Sequence, residues 1–128
     1  MRALEELEGK LRRSAQVARE EFLARDEVHD LAEHYLHLAV ECMADVASHV
    51  VAERGMAEAE TYRRVFELLA EASVITPELA SRLAGWAGFR NVLVHMYVDV
   101  DHGVSWRAIT EELDDLTTFR RAVATLLA

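Results

Sequence analysis

The backbone of this chain contains little that would interrupt a helix. Proline occurs once, at Pro77, and glycine occurs five times in 128 residues. Alanine, leucine, glutamate and arginine dominate the sequence, and all four have high intrinsic helix propensity. Apolar residues recur three or four positions apart, which is the spacing of an amphipathic helix. The sequence therefore predicts an all-α fold, an antiparallel bundle of about five helices.

Helix boundaries follow from this spacing and from residues that start or stop helices. Gly55 is expected to end the second helix, while Thr76 caps the fourth and Pro77 begins it. His102, before Gly103, is expected to be a turn residue. The five predicted helices cover about residues 4–24, 26–54, 60–73, 77–97 and a last segment from after Gly103 to Leu126.

The same spacing predicts which side chains face the core. The expected seam of the second helix is Val28, Ala32, Tyr35, Ala39, Cys42, Val46 and Val50. The third helix is expected to present Tyr62, Val65, Phe66 and Leu69. The last helix is expected to point inward with Trp106, Ile109, Leu113, Leu116, Phe119, Val123 and Leu126.

Length and charge limit the function classes. A chain of 128 residues predicts a single domain over 1–128. No stretch approaches the ~18 uninterrupted apolar residues of a membrane span, and the first residues are charged, so a cytoplasmic protein with no membrane partner is expected. The formal net charge is −9, whereas a protein that holds RNA through its global field is basic. Any RNA site must therefore be local, near the arginines of the second half.

Four groups with catalytic chemistry fall within eight residues near the end of the fourth predicted helix: Arg90, Asn91, His95 and Tyr97. Arginine offers a forked donor array to phosphate oxygens, and histidine moves a proton near neutral pH. On an ideal helix Asn91 and His95 share one direction, while Arg90 and Tyr97 share another roughly 120° away. The expected core side of this segment consists of Trp86, Phe89, Val92, Leu93 and Met96. The four polar side chains named first suffice for chemistry on a phosphodiester without a metal.

This segment, Arg90-x4-His95-x-Tyr97, resembles the signature of the HEPN superfamily and, through the tyrosine, the HepT-like toxins. The flanks at residues 62–69 (YRRVFELL) and 75–79 (ITPEL) agree with it, so the resemblance covers the chain from about residue 27 onward. It implies a HEPN-like dimer in which two Arg–His sets share a cleft. It also implies a metal-independent endoribonuclease, the toxin of a type VII toxin–antitoxin system, with a minimal nucleotidyltransferase as the antitoxin.

The resemblance also assigns roles. His95 is the expected general base on a ribose 2′-hydroxyl of the RNA substrate, and Arg90 stabilises charge on the phosphate. Asn91 supports them, by holding the imidazole or contacting phosphate. Tyr97 is the expected site at which the antitoxin attaches AMP. The alternative is a non-catalytic HEPN module that binds nucleotide or substrate beside a nucleotidyltransferase.

Two further patterns leave alternatives open. A stripe of small or polar residues runs into the motif, and it favours either packing within the chain or a two-fold dimer axis: Ala80, Ala84, Ala87, Gly88, Asn91 and His95. The second helix carries a polar face that suggests a metal site: Asp30, His34, His37, Glu41 and Asp45. Two-helix carboxylate sites need Glu-x-x-His, which is absent, and Asp26-x-x-His29 and Asp99-x-x-His102 lie at predicted helix ends. A solvated face is therefore expected, with no metal and no cofactor.

Overall fold

The computed structural model describes residues 2–95 and 100–127, and every regular element within them is an α-helix. These helices are α1 (Arg2–Ser14), α2 (Arg19–Ala24), α3 (Asp26–Glu53), α4 (Tyr62–Glu71), α5 (Pro77–His95), α6 (His102–Glu111) and α7 (Asp114–Leu127). The predicted all-α fold is confirmed. The described part holds seven helices, because two of the five predicted ones are broken. None of the helices in the described ranges is both long and apolar enough to cross a bilayer.

The long helix α3 is the spine of the bundle. Its 28 residues span about 42 Å at 1.5 Å per residue, and it contacts each of the other six helices. The buried face is centred about one residue away from the predicted seam. Ala32, Ala39 and Val50 are buried as predicted, whereas Val28, Tyr35, Cys42 and Val46 are only partly buried. The positions that complete the buried face are Leu36, Val40, Met43, Ala44, Ala47 and Val51. Helices pack against α3 from several sides, so its buried arc is wider than one seam.

The helix predicted over residues 4–24 is wrong as a single element. It breaks after Ser14 and restarts at Arg19, and the backbone of Ala18 is extended at φ −63° and ψ 147°. The break redirects α2 so that Phe22 is fully buried and its ring centroid lies 5.3 Å from that of Trp106 in α6. No glycine or proline marks this break, so tertiary packing overrides the local helix propensity.

The predicted last helix is also two helices, α6 and α7, separated at Glu112 and Leu113. Leu113 is buried at this corner, but Leu126, predicted to face inward, is 42% exposed. His102 is the first residue of α6 rather than a turn residue. Asp101 caps this helix, since its carboxylate accepts a hydrogen bond from the Gly103 amide at 2.9 Å.

The predicted capping signals are confirmed. Thr76 Oγ1 accepts a hydrogen bond from the Leu79 amide at 3.1 Å, and Pro77 is the first residue of α5. Gly55 follows α3 with φ +68°, a left-handed conformation that favours glycine. α4 begins at Tyr62, two residues later than predicted, because Thr61 caps it by accepting from the Arg64 amide at 3.1 Å. These caps fix the start of α5, which carries the motif and packs against α3 and α4.

Candidate active site

Arg90 is the best-anchored residue of the predicted motif. Its Nη2 donates to Glu41 Oε1 of α3 at 2.6 Å, and its guanidinium carbon lies 5.3 Å from the ring centroid of Tyr62 in α4. The side chain is only 18% exposed, so the guanidinium is held between three helices. A cation in such a position needs a charge partner, and Glu41 provides one.

Asn91 interacts with Arg90 and is otherwise exposed. Its Oδ1 accepts a hydrogen bond from Arg90 Nη1 at 3.3 Å. His95 is also exposed, at the last described residue of α5. The structure therefore places Asn91 against the arginine, while the side chain of His95 is exposed at the end of the described part of α5. Tyr97, the expected AMP acceptor, and Met96, an expected core residue, lie outside the described residues.

The apolar side of this segment is less buried than predicted. Trp86 is buried, Phe89 and Leu93 are half-buried, and Val92 is 37% exposed. The prediction of an inward Val92 is therefore wrong. Arg90 is not on the expected core side of this segment, yet its side chain is largely covered, because the side of α3 that carries Glu41 packs over it.

His37 lies one turn before Glu41 on α3, beside the ion pair of Glu41 and Arg90. Its Nδ1 lies 3.7 Å from Glu41 Oε1, and its ring centroid lies 5.9 Å from that of His34. Burial lowers the pKa of the His37 imidazole below its ordinary value; Glu41 opposes this shift, while Arg90 and His34 add to it. The neutral imidazole is therefore favoured, and Arg90 is the cation that Glu41 pairs with.

An open groove of about 450 Å³ runs beside Arg90 between α4 and α5. Its walls are Thr61, Tyr62, Arg63, Ala84, Ala87, Gly88, Arg90 and Asn91. Four members of the small or polar stripe therefore line one groove. Of the stripe, Ala80 and Ala87 are buried within the chain, while Gly88, Asn91 and His95 are exposed. A Cβ added at Gly88 would meet no atom within 4 Å, so packing within the chain does not require a glycine there.

The arginines of the second half supply less uncompensated positive charge than their number suggests. Arg64, Arg82 and Arg120 form ion pairs with Glu71, Asp115 and Glu8, respectively. These charges are compensated within the chain. Arg63 and Arg90 line the groove together, and they are the positive groups closest to the motif's Asn91 there.

Sequence reasoning missed Glu41 as a partner of Arg90. Glu41 was recognised only as a member of the polar face of α3, and Tyr62 only as an inward residue of α4. The three residues come together because α3, α4 and α5 pack side by side. No local signal reports a contact between residues 49 positions apart.

Within the described residues, six helices pack on the long central α3, and an Arg-x4-His pair lies at the described end of α5; together these features define the chain as a HEPN-fold domain. A solved structure of the tri-AMPylated HEPN toxin of Shewanella oneidensis, in complex with an MNT antitoxin, superimposes with a TM-score of 0.89. It covers 96% of this chain and 92% of that chain at 20% sequence identity. This match concerns the fold.

The family model described as "Ribonuclease HepT-like" matches residues 3–123, and the chain belongs to this HepT-like ribonuclease family. The tRNA nuclease HepT of Aphanizomenon flos-aquae is 26% identical over 117 residues, which are 91% of this chain and 80% of that protein. The mRNA nuclease HepT of Shewanella oneidensis is 27% identical over 84 residues, or 66% of this chain and 63% of that protein. The predicted family is confirmed.

Proposed function

We propose that this protein is the toxin of a type VII HEPN/minimal nucleotidyltransferase toxin–antitoxin pair and acts as a metal-independent endoribonuclease. The observation that carries the proposal is the pairing of an anchored Arg90 on the wall of the groove with an exposed His95 five residues later. Two relatives are named tRNA nuclease and mRNA nuclease, and the structural neighbour is a toxin bound to an antitoxin. These names support the nuclease and the toxin parts of the proposal.

In the proposed reaction His95 removes the proton from a ribose 2′-hydroxyl. The 2′-oxygen then bonds to the adjacent phosphorus, and the bond from phosphorus to the 5′-oxygen breaks. The leaving 5′-oxygen takes up a proton, which His95 of the second protomer in a dimer supplies. The products are a 2′,3′-cyclic phosphate and a 5′-hydroxyl. Arg90 stabilises the charge that develops on the phosphate oxygens.

The proposed site is composite and lies at a dimer interface, and helix geometry supports this part of the proposal. Five residues of helix turn the side-chain direction by about 140° and separate Arg90 from His95 by about 7.5 Å along the axis. One protomer alone therefore aims the two side chains differently, whereas a two-fold axis near the exposed end of α5 brings Arg90 of one protomer toward His95 of the other. Closed two-fold dimers are the commonest oligomers.

Before RNA binds, the guanidinium of Arg90 is paired with the carboxylate of Glu41. An RNA phosphate entering the groove competes with the Glu41 carboxylate for the same guanidinium donors. Glu41 is then a positioning residue, since it holds the arginine against the groove wall without touching the reacting atoms. Asn91, the next residue of α5, accepts a hydrogen bond from Arg90 Nη1 at 3.3 Å and helps to hold the same guanidinium.

Cleavage of RNA in excess chelator is the direct test. His95→Ala is the cleanest variant, because the exposed imidazole supports no packing, and its rate should fall on the order of 10²-fold or more. Arg90→Ala also removes the partner of Glu41, so Arg90→Lys, which keeps the charge, is the better companion. His49→Ala, an exposed histidine elsewhere on α3, is the matched control and should cleave like the wild type.

The ends of the products test the chemistry. We expect 2′,3′-cyclic phosphate termini, and no cleavage where a single 2′-deoxy nucleotide replaces the ribose at the cut site. Cleavage that disappears in chelator and returns with magnesium or manganese would contradict the metal-independent mechanism. Binding of RNA or nucleotide without cleavage would instead favour the non-catalytic HEPN module.

A further inference from the structure

A second polar cluster, which shares its cavity with His34 and His37 of α3, lies where the first turns of α3 meet the start of α6. An open cavity of about 550 Å³ occupies this corner. Its polar wall includes His29, Glu33 and His102, and its apolar wall includes Leu93 and Val94 of α5. The cavity therefore lies beneath the described end of the motif helix.

The three polar side chains are close enough to share one ion. One donor atom from each of His29, Glu33 and His102 lies within 4.8 Å of the other two. Two ligand atoms on one tetrahedral zinc ion lie roughly 3.3 Å apart, from bonds of about 2.0–2.1 Å. His102 Nδ1 is 2.6 Å from Glu33 Oε2, and His29 Nδ1 is 4.0 Å from Glu33 Oε1. The first distance is shorter and the second longer than this separation, so coordination requires the side chains to adjust.

His29 leaves a buried nitrogen directed at this cluster. Its side chain is 5% exposed, and within the described residues Nδ1 has no hydrogen-bond partner. Asp30 Oδ1 lies 2.8 Å from this nitrogen, but outside hydrogen-bonding geometry. The other ring nitrogen, Nε2, lies 3.3 Å from Asp26 Oδ1. A carboxylate facing the second nitrogen is the usual outer support of a metal-binding histidine.

Glu33 is a buried carboxylate already oriented by neighbours. Its side chain is 10% exposed, and Oε2 accepts a hydrogen bond from Ser105 Oγ at 2.6 Å. Ser105 is fully buried, so this contact is shielded from water. Carboxylates that bind metals are commonly held by such a hydrogen bond.

The imidazole rings of His29 and His102 stack against each other. Their centroids are 3.5 Å apart and their planes differ by 18°. Coordination of one ion by both rings would require them to open from this near-parallel stack.

We propose that His29, Glu33 and His102 bind one divalent transition-metal ion of the zinc class. Two imidazoles and a carboxylate form a ligand set that zinc accepts, with water at the remaining position. When His102 binds through Nδ1, the neutral imidazole carries its proton on Nε2, and no oxidation state changes. The ion ties α3 to α6 between residues 69 positions apart and stiffens the corner beneath the end of α5. It is separate from Arg90 and His95, whose chemistry needs no metal.

Sequence inspection did not find this site because its spacing differs from the two-helix carboxylate pattern. The first two ligands are His29-x3-Glu33, one turn of α3, and the third lies on a different helix. His102 was expected to be a turn residue. The fold of α6 against α3 brings it to the other two.

The test is a titration of tag-free, metal-stripped full-length protein with zinc. Binding is measured by calorimetry and by competition with a chromogenic chelator. We expect one zinc per chain and, at saturating zinc, a rise of about 5–10 °C in the unfolding midpoint. Cobalt in place of zinc should give a visible absorption band from a coordinated site. His102→Gln, at a partly exposed helix start, and Glu33→Gln should each weaken binding by at least about tenfold.

The matched control is the pair His49 and Glu53, which has the same one-turn spacing on α3 and lies 3.2 Å apart at 62% and 66% exposure. His49→Gln should leave zinc binding unchanged. The proposal is overturned if no saturable site is found, if His102→Gln and Glu33→Gln bind zinc normally, or if His49→Gln weakens binding equally. Zinc binding is measured without RNA, so its absence would not contradict the proposed nuclease. Absence of RNA cleavage by the wild type would likewise not contradict the zinc site.

Discussion

Arg90 Nη2 and Glu41 Oε1 lie 2.6 Å apart, which joins α5 to α3 through a charge-assisted hydrogen bond between residues 49 positions apart. The arginine that we propose binds the RNA phosphate is thus already paired with a carboxylate. Short bonds between ionised groups are about twice as strong as neutral ones. RNA binding must therefore be measured against this internal competitor.

Substitution Glu41→Gln separates the two effects of that carboxylate. Glutamine keeps an acceptor for Arg90 Nη2 but removes the negative charge, so RNA should bind about threefold more tightly at low salt. Glu41→Ala removes the acceptor as well, and kcat should fall by about tenfold because Arg90 loses its orientation. Fluorescence anisotropy with labelled RNA, in a His95→Ala background, measures the first effect, and cleavage kinetics measure the second.

The control for charge removal is Glu53→Gln, at the exposed end of the same helix. Its charge should be screened at physiological salt, so RNA affinity should stay within experimental error of the wild type. Weaker binding by Glu41→Gln would contradict a competing role for Glu41.

His37 should make the protein less stable in mild acid. Its pKa is lowered in the folded state, chiefly by burial, while in the unfolded chain it lies near its ordinary value of about 6.5. As pH falls below that value the unfolded state takes up the proton first, so stability is lost down to the lower folded pKa. His37→Gln should lose less unfolding free energy between about pH 7.5 and about pH 5. Urea unfolding at both pH values measures the difference, with His49→Gln expected to follow the wild type.

The exposed part of the α5 stripe should lie at the dimer interface. Gly88 and Gly85 both have open space where a Cβ would be, yet only Gly88 lines the groove beside Arg90. Gly88→Leu should raise the dimer dissociation constant by at least about tenfold, whereas Gly85→Leu should have little effect. Both changes raise helix propensity, so unfolding is not expected. Light scattering over a range of concentrations is the measurement, and equal dimerisation of the two variants would count against this interface.

Tyr97 should be the residue through which the antitoxin acts. AMP on its hydroxyl adds bulk and a phosphodiester negative charge, which opposes RNA binding beside Arg90. Tyr97→Phe should still cleave RNA but escape neutralisation by an ATP-using nucleotidyltransferase. Mass spectrometry of protein co-expressed with that partner should show AMP on a peptide containing Tyr97. A fully neutralised toxin with that peptide unmodified would refute this mode of control.

Local signals in the sequence were enough for several parts of the fold. Thr76 and Pro77 mark the start of α5 because a hydroxyl cap and a fixed proline φ act within one helical turn. Gly55 marks the end of α3 because the left-handed conformation there is easily reached only by glycine. The Arg-x4-His spacing also indicated the family, because both residues of this pattern lie on one helix and their spacing can be read directly from the sequence.

The breaks within two predicted helices depended on packing. Nothing in residues 15–18 or at Glu112 disfavours a helix strongly, yet the chain turns at both places. Burial of Phe22 against Trp106 and of Leu113 at the corner between α6 and α7 stabilises the turns. Such burial contributes about 1.5–3 kcal/mol per large side chain, more than the helix propensity of a few residues.

What the sequence determined by itself was therefore the helical class, the capped ends of α3 and α5, and the Arg-x4-His pattern on α5 that indicates the family. The tertiary structure alone decided which groups surround them. Glu41 reaches Arg90, and His102 reaches Glu33, only because α5 and α6 pack against different parts of α3. The energy of these contacts depends on distance and burial in space, and neither quantity is encoded in the spacing of residues along one helix.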